Sequence, residues 1–371
     1  MTAPAASPDL APMDVGGRAS RVRAAAAAAG CNALVVTNLV NVRYLTGFTG
    51  SAGLAWLGPD ELVLVTDRRY AEQVHSEIGC SGADVRIEIT NDEPRELLVA
   101  AAVAAGRIGL EAAAVSWADQ RKYDEWFGPA ELVAAVDVVE RCRRVKDAGE
   151  IDRMAAAAAI ADDALAAVRP MLADGLTEKE VALALDTALR RRGADGSAFP
   201  TIVASGPNAA LPHKRPTDRV IGAGELVIVD MGAVVDGYRS DMTRTMAAGE
   251  PDPEARKVFE TVRDAQRLGV EQVVAGAPIC GVDRACRERI GRDGWGDAFV
   301  HGTGHGVGLD IHEQPWVRAG AAERLEIGQT ITVEPGVYLP GFCGARVEDT
   351  VLVAEGGPRR LTRSPKSLVV A

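Results

Sequence analysis

ELVIVDMGAVVDGYRSDMTRTM, residues 225–246, decides how the second half of this 371-residue chain folds. It is built around Asp236-Gly237, a preferred two-residue turn whose central positions adopt φ > 0. The stretch reads as a β-hairpin in which Val235 faces Tyr238, Gly232 faces Asp241 and Asp230 faces Thr243. Side chains alternate between the faces of a strand, so Asp230 and Asp241 project on the same side as diagonal neighbours, with Cα atoms roughly 7–8 Å apart. Their carboxylates can meet over one point.

A second hairpin repeats the device. In QTITVEPGVYLPGFCGARVEDTVLVA (329–354), a loop at PGFCG (340–344) places Glu334 opposite Thr350 and Glu348 opposite Gly336, so two more acids share a face. Carboxylates flanked by Val, Ile and Leu are costly to bury unless they are paired or bind a metal. A solvated sheet face is the competing explanation. It is disfavoured because acids are depleted in strands and both hairpins carry them in register.

Three of the five histidines fall in HGTGHGVGLDIHEQP, residues 301–315. His301 and His305 mimic the i, i+4 pair of a helical zinc site, but the interleaved glycines oppose a helix and no Glu stands where that motif needs one. The segment GVGLDIH reads as a strand, in which His305 and His312 would face opposite ways. A bend or bulge among the glycines would bring both to one cavity. Taken singly, each histidine reads as an ordinary half-buried imidazole.

The rest of the chain supplies a frame. Residues 1–17, rich in Ala, Pro and Gly, read as a loose leader. An α/β domain follows from Arg18 to Cys142, with strands at ALVVTNLV, GLAWLG, ELVLVTD, DVRIEIT and ELVAAVDVV. It has helices before Gly30, from Arg69 and over ELLVAAAVAAG, the last capped by Asn91 or Asp92. The charged stretch RCRRVKDAGEIDRM leads into Ala-rich helices, one opened by a capping box of Thr177 and Glu180. Residues 143–371 mix hairpins with helices and read as α+β.

A net charge of −11 without any basic run excludes an electrostatic grip on nucleic acid or anionic membrane. Six scattered cysteines with no CxxC pair suggest neither a disulfide framework nor a cysteine zinc site. With no signal-peptide pattern and no stretch of membrane-span length, the expected location is cytoplasmic.

Asp230, Asp241, His305, Glu334 and Glu348, in the contexts VDMG, SDMTRT, GTGHGVGLDIHE, TVEPG and RVEDT, resemble the five-ligand signature of the pita-bread metallopeptidases, peptidase family M24. NVRYLTGFTGSAG and TDRRYAEQ resemble the creatinase-type N-terminal domain of its proline-specific branch, the Xaa-Pro aminopeptidases and Xaa-Pro dipeptidases (prolidases). FPTIVASGPNAALPHKRPTD is similar to that branch's substrate-side loop. After the flexible leader that composition gives over 1–17, the resemblance implies a creatinase-like α/β domain over 18–142 and an α+β pita-bread catalytic domain over 143–371.

It also implies a hydrolase that cleaves the Xaa-Pro bond at the N-terminus of peptides or in dipeptides, by a water or hydroxide bridging two metals. The cofactors would be two divalent ions, manganese first, with cobalt, iron or zinc as alternatives, which suits a predominantly oxygen donor set. Asp241 and Glu348 would bridge the ions, Asp230 would complete one, and His305 with Glu334 the other. Glu334, His213 and His312 would be catalytic; His213, His301, His312 and Arg346 would line the substrate site, and Arg346, beside Glu348, would also orient the acid cluster. The implied partners are a peptide with proline second and a second copy of the chain.

Prolidases commonly place an arginine after HExP, whereas HEQP is followed here by Trp316, with Arg318 two residues later. That departure leaves aminopeptidase activity as open as dipeptidase activity. Competing readings are a creatinase-like amidinohydrolase, which lacks the complete ligand set, and a non-catalytic binding protein on the same fold. Methionine aminopeptidase usually lacks a domain like 18–142.

Overall fold

The computed structural model describes residues 10–370. They form two compact units, Pro12–Arg143 and the chain from Arg144 onward, the latter joined by residues 10–11. Of the leader expected over 1–17, residues 1–9 lie outside the described residues. Residues 10–17 are held in place: Ala11 accepts from Arg153 Nη1 through its carbonyl at 2.9 Å, and Val15 is buried.

The first unit is a mixed six-stranded sheet. Its strands are β1 (Ala33–Val36), β2 (Leu54–Leu57), β3 (Leu62–Thr66), β4 (Arg86–Ile89), β5 (Arg107–Glu111) and β6 (Glu131–Ala135), in the order β4-β3-β2-β1-β5-β6. The helices are α1 (Arg18–Ala28), α2 (Leu39–Thr46), α3 (Ala71–Ser81), α4 (Arg95–Ala105), α5 (Trp117–Phe127) and α6 (Val138–Arg143). β1 is buried at every position, because both of its faces are covered: Ala33 and Val35 pack with α4 and α5 residues, and Leu34 and Val36 are buried on the other side.

Several local expectations are corrected here. NLV continues no strand: Asn38 accepts from Val40 N and caps α2. The helix over ELLVAAAVAAG starts later than Asn91 or Asp92 would set it, with Pro94 at the N-cap and no side-chain cap. The closing strand stops at Ala135, and Val138 already belongs to α6. β5 and α5 have no counterpart in the sequence pattern.

The second unit carries α7 (Ala148–Val168), α8 (Glu178–Arg191), α9 (Pro253–Glu271) and α10 (Ile279–Arg292). The Thr177/Glu180 capping box opens α8 as expected. Its strands begin with β7 (Gly196–Ser197), β8 (Ile202–Ser205), β9 (Leu226–Met231), β10 (Ala233–Val235), β11 (Tyr238–Arg239) and β12 (Met242–Ala248). They continue with β13 (Gly304–Gly306), β14 (Glu313–Val317), β15 (Thr330–Val333), β16 (Gly336–Leu339), β17 (Cys343–Arg346), β18 (Asp349–Ala354), β19 (Gly357–Arg360) and β20 (Val369–Val370).

The principal sheets run β20-β12-β9-β8 and β14-β13-β15-β18-β19. Val227, Val229 and Met231 of β9 pack with the apolar stripes of α7 and α8, while Ile331, Val333 and Val351 pack with α9 and α10. Each long hairpin therefore has one helix-covered face, which leaves the other face for chemistry. Among the described residues no helix is long and apolar enough to cross a membrane.

The first hairpin has the expected register, with Val235 opposite Tyr238 and Asp230 opposite Thr243. The second is offset by two residues: Leu339 pairs with Cys343, Gly336 with Arg346 and Val333 with Asp349. Its loop is three residues long, with Pro340 and Gly341 central to a turn in which Phe342 N donates to Leu339 O at 3.0 Å and Gly341 has φ +77°. A two-residue slip preserves parity, so Glu334 and Glu348 still share a face and now fall opposite each other.

Candidate metal centre

All four hairpin acids sit where a strand passes from one sheet to another. Asp230 lies just before the break between β9 and β10, Asp241 just before β12, Glu334 between β15 and β16, and Glu348 just before β18. The two corners are stitched together along β12: Thr245 Oγ1 donates to Arg346 O at 2.8 Å, Glu348 N to Thr243 O at 3.1 Å, and Thr350 Oγ1 to Asp241 O at 2.8 Å. The four carboxylates thereby line one cavity of about 630 Å³.

His305 enters from β13. The segment after it is not the expected strand, because Val307–His312 bends and β14 returns antiparallel with a register shift. The bend brings the His305 and His312 rings edge to face, with centroids 4.4 Å apart. The glycines serve a close approach between strands: a Cβ on Gly304 would lie 2.0 Å from Thr332 O.

Ligand atoms of Asp241, His305 and Glu348 lie within 4.8 Å of one another. Glu334 Oε1 is 3.3 Å from His305 Nε2, and Asp241 Oδ2 is 3.7 Å from it. His305 Nδ1 is 3.0 Å from Gly306 O, which can only accept. Nδ1 therefore carries a proton and Nε2 faces the acids; burial opposes a charge on the ring, but the Glu334 hydrogen bond and charge raise its pKa, and a metal in place of the Nε2 proton would leave the arrangement of a ligating imidazole.

The charges do not balance within the protein. Burial, reinforced by the charges of Glu348, Asp230 and Glu334, pushes the Asp241 carboxyl well above its ordinary range. Burial and the charges of Glu334 and Asp230 do the same to Glu348, against the Thr243 hydroxyl and Arg346. Asp230 is raised by burial, with Arg346 opposing.

Glu334 goes the other way: burial opposes its ionisation, but the His305 hydrogen bond and charge, with His301 and Arg346, bring it down to about 2. Asp230 Oδ1 is buried without a hydrogen-bond partner. A cluster that must hold protons to stay neutral, with an orphaned carboxylate oxygen and a presented imidazole nitrogen, fits divalent cations in place of those protons.

The remaining predicted residues also line the cavity, in two different conditions. His213 and His312 make no side-chain hydrogen bond among the described residues. Burial and the neighbouring His305 charge lower the pKa of His312, which favours the neutral ring.

The side chains of His301 and Arg346 are both hydrogen-bonded to protein. His301 Nδ1 donates to Gly302 O at 2.7 Å, so Nε2 accepts from Tyr338 Oη at 2.8 Å. Arg346 donates to Tyr338 Oη at 2.9 Å, Pro212 O at 3.1 Å, Thr243 Oγ1 at 3.1 Å and Asp230 Oδ2 at 2.7 Å. Both also line the cavity; Arg346 is bonded to Asp230, and His301 reaches Arg346 through Tyr338.

Three further participants are not among the expected site residues. Thr243 Oγ1 receives Arg346 and donates to Glu348 Oε2 at 2.7 Å; its place opposite Asp230 is a usable signal. Tyr338 links His301 to Arg346, and its parity with Glu334 along the strand could mark it. Glu178, at the start of α8, accepts from Ser205, Asn208 and Thr217 and ties down the segment that carries His213. Nothing local announces that role.

Residues 152–355 match the metallopeptidase family M24, and residues 18–145 match the creatinase/prolidase N-terminal domain. The chain is 38% identical over 347 residues to the uncharacterized peptidase YqhT of Bacillus subtilis (strain 168), covering 92% of this chain and 96% of that one. Among solved structures, the Xaa-Pro dipeptidase from Bacillus anthracis superimposes with a TM-score of 0.90 at 34% identity, over 96% of this chain and 100% of that one. The X-Pro aminopeptidase from Thermotoga maritima MSB8 gives 0.85 at 33% identity, over 94% and 100%. An acid-and-histidine cavity on this fold and a match over more than half the chain agree: the protein belongs to metallopeptidase family M24, with a creatinase/prolidase N-terminal domain preceding its catalytic unit.

Proposed function

We propose that the protein is a dinuclear-metal hydrolase that cleaves the Xaa-Pro bond at the N-terminus of peptides or in dipeptides. The observation that carries this is the convergence of Asp230, Asp241, His305, Glu334 and Glu348, from separate segments, on one cavity. The activities for which the Bacillus anthracis and Thermotoga maritima relatives are named support the choice of bond. Asp241 and Glu348 would hold the ions together with Asp230, His305 and Glu334, all of which line the cavity. Two divalent cations, manganese first by the oxygen-rich donors, would supply charge to balance the carboxylates and Lewis acidity toward water and the scissile carbonyl.

The chain's own groups do the rest. Glu334, ionised beside His305, takes a proton from the attacking water and delivers it to the proline nitrogen as the C–N bond breaks. His213 and His312 donate hydrogen bonds to the oxyanion that develops on the carbonyl. Arg346, which His301 reaches through Tyr338, holds Asp230. Because an Xaa-Pro amide offers no N–H, recognition falls to shape, and Phe199, Ile311 and Trp316 give the cavity an apolar wall. Arg318 lines the same cavity and makes no ion pair among the described residues, which favours substrates with a free carboxylate near the proline. A cytoplasmic homodimer belongs to the same reading.

The test is a side-by-side assay, with manganese, of an Xaa-Pro dipeptide, an Xaa-Pro-Xaa tripeptide, a methionyl peptide and creatine. Hydrolysis of the proline peptides, stopped by a chelator, is the expected result. Cleavage of creatine alone, or a protein that takes up no divalent ion, would overturn the proposal. The ratio of dipeptide to tripeptide turnover separates the two peptidase readings.

A further inference from the structure

The imidazole of His312 has little of its own to hold it. It makes no hydrogen bond among the described residues, and its ring packs edge to face on His305. Its position is therefore inherited from the backbone at the end of the bend Val307–His312. The next residue, Glu313, opens β14 opposite Gly306. Alternation along the strand sends its side chain away from the cavity, into the body of the unit.

There Glu313 Oε1 accepts from Lys146 Nζ at 2.6 Å, with the two side chains 6% and 1% exposed. Lys146 is anchored in turn: its backbone N donates to Gly328 O at 2.9 Å, and Val145 bridges to Gln329 just before β15. Gly308, inside the bend, leaves the space that the carboxylate occupies, since a Cβ there would lie 2.5 Å from Glu313 Oε1 and 3.1 Å from Lys146 Cε. Lys146 falls between the two segments matched to known families. A buried ion pair is weak evidence for stability, because an apolar pair of similar volume often serves as well. What this one supplies is a fixed distance between the start of β14 and the residues leading into β15.

We propose that the buried Lys146–Glu313 ion pair is a positioning device for His312, holding the end of the bend so that the imidazole faces the scissile carbonyl. The effect on turnover rests on the proposed role of His312, whereas the placement itself does not. Lys146→Met, the double variant Lys146→Met/Glu313→Leu and Glu313→Gln are made in the parent and in a His312→Ala background. kcat, bound metal and, in the metal-free protein, the His312 ring proton resonances are measured.

The first two variants are expected to lose about 100-fold in kcat, the scale of an ångström-level misplacement, with metal content unchanged. Glu313→Gln, which still accepts from Lys146, keeps most of the turnover. In the His312→Ala background none of the three lowers kcat further. The His312 resonances, displaced in the parent by contact with His305, move in the double variant and stay in Glu313→Gln. If Lys146→Met does not fold, the double variant, which buries no lone charge, carries the test. Parental kcat with unmoved resonances in that variant would overturn the proposal, as would an equal loss in the His312→Ala background. A parent without Xaa-Pro hydrolysis would sink the functional proposal, while the resonances still decide whether the pair places His312.

Discussion

Glu348 and Asp349 are consecutive, both buried, and opposite in every electrostatic respect. Asp349 faces the helix-covered side, where Arg244 meets Oδ1 at 2.8 Å and Lys366 meets Oδ2 at 2.5 Å, with Gln266 and Thr362 completing its shell. Burial opposes its ionisation, but those cations outweigh it and lower its pKa. Glu348 faces the cavity with Asp241, Asp230 and Glu334 and, for protein cations, Arg346 and His305, and its pKa is pushed well up. A buried carboxylate that the protein neutralises is part of the scaffold. One that it leaves in excess calls for charge from outside.

The sharpest way to break this contrast is Asp241→Asn. Turnover on an Xaa-Pro substrate is expected to fall by at least about 100-fold, with loss of bound metal by elemental analysis and an unchanged circular dichroism spectrum. Full activity would remove Asp241 from the ligand set. Asp349→Asn should do the reverse, leaving Arg244 and Lys366 buried beside a neutral group. A loss of about 3–5 kcal/mol in urea unfolding is expected, with metal still taken up by the folded protein.

The pH dependence of the metal-free protein should show both signs. Asp241 and Glu348 have folded pKa values above their unfolded ones, so the folded state binds more protons and stability declines as pH rises from the ordinary carboxylate range toward the raised values. Asp349 is depressed, so its contribution is present above its unfolded pKa and lost as acid takes the pH through the folded one. Manganese should abolish the decline on the alkaline side; a flat urea midpoint there without metal would contradict the charge excess. The smallest effect is reserved for Thr243→Val, which removes the hydroxyl between Arg346 and Glu348 while keeping the shape. About a tenfold fall in kcat/KM is expected, and no fall would make that hydroxyl dispensable.

Much of the site was legible because strands have period two. The turn at Asp236-Gly237 sets the register that puts Asp230 and Asp241 on one face, and the misplaced loop in the second hairpin did no harm because its error was an even number. Helix and strand in the first unit were harder: ALVVTNLV is one apolar run, and only the Asn38 cap separates β1 from α2. A bend among the glycines was readable as what would bring His305 and His312 to one cavity, but its place after Gly306 and the links of His301 to Arg346 through Tyr338 were not, since they depend on contacts between distant segments.

The amino-acid sequence by itself determined the donor types, their order, the fold class and the pairing of acids within each hairpin. These follow from local turn chemistry and strand alternation, which act over a few residues. Which carboxylates lack a protein cation, and which histidines keep free donors, was decided only in the folded chain. Those facts are set by contacts such as Arg244 with Asp349, Arg346 with Asp230 and Lys146 with Glu313, whose partners meet only when distant segments pack.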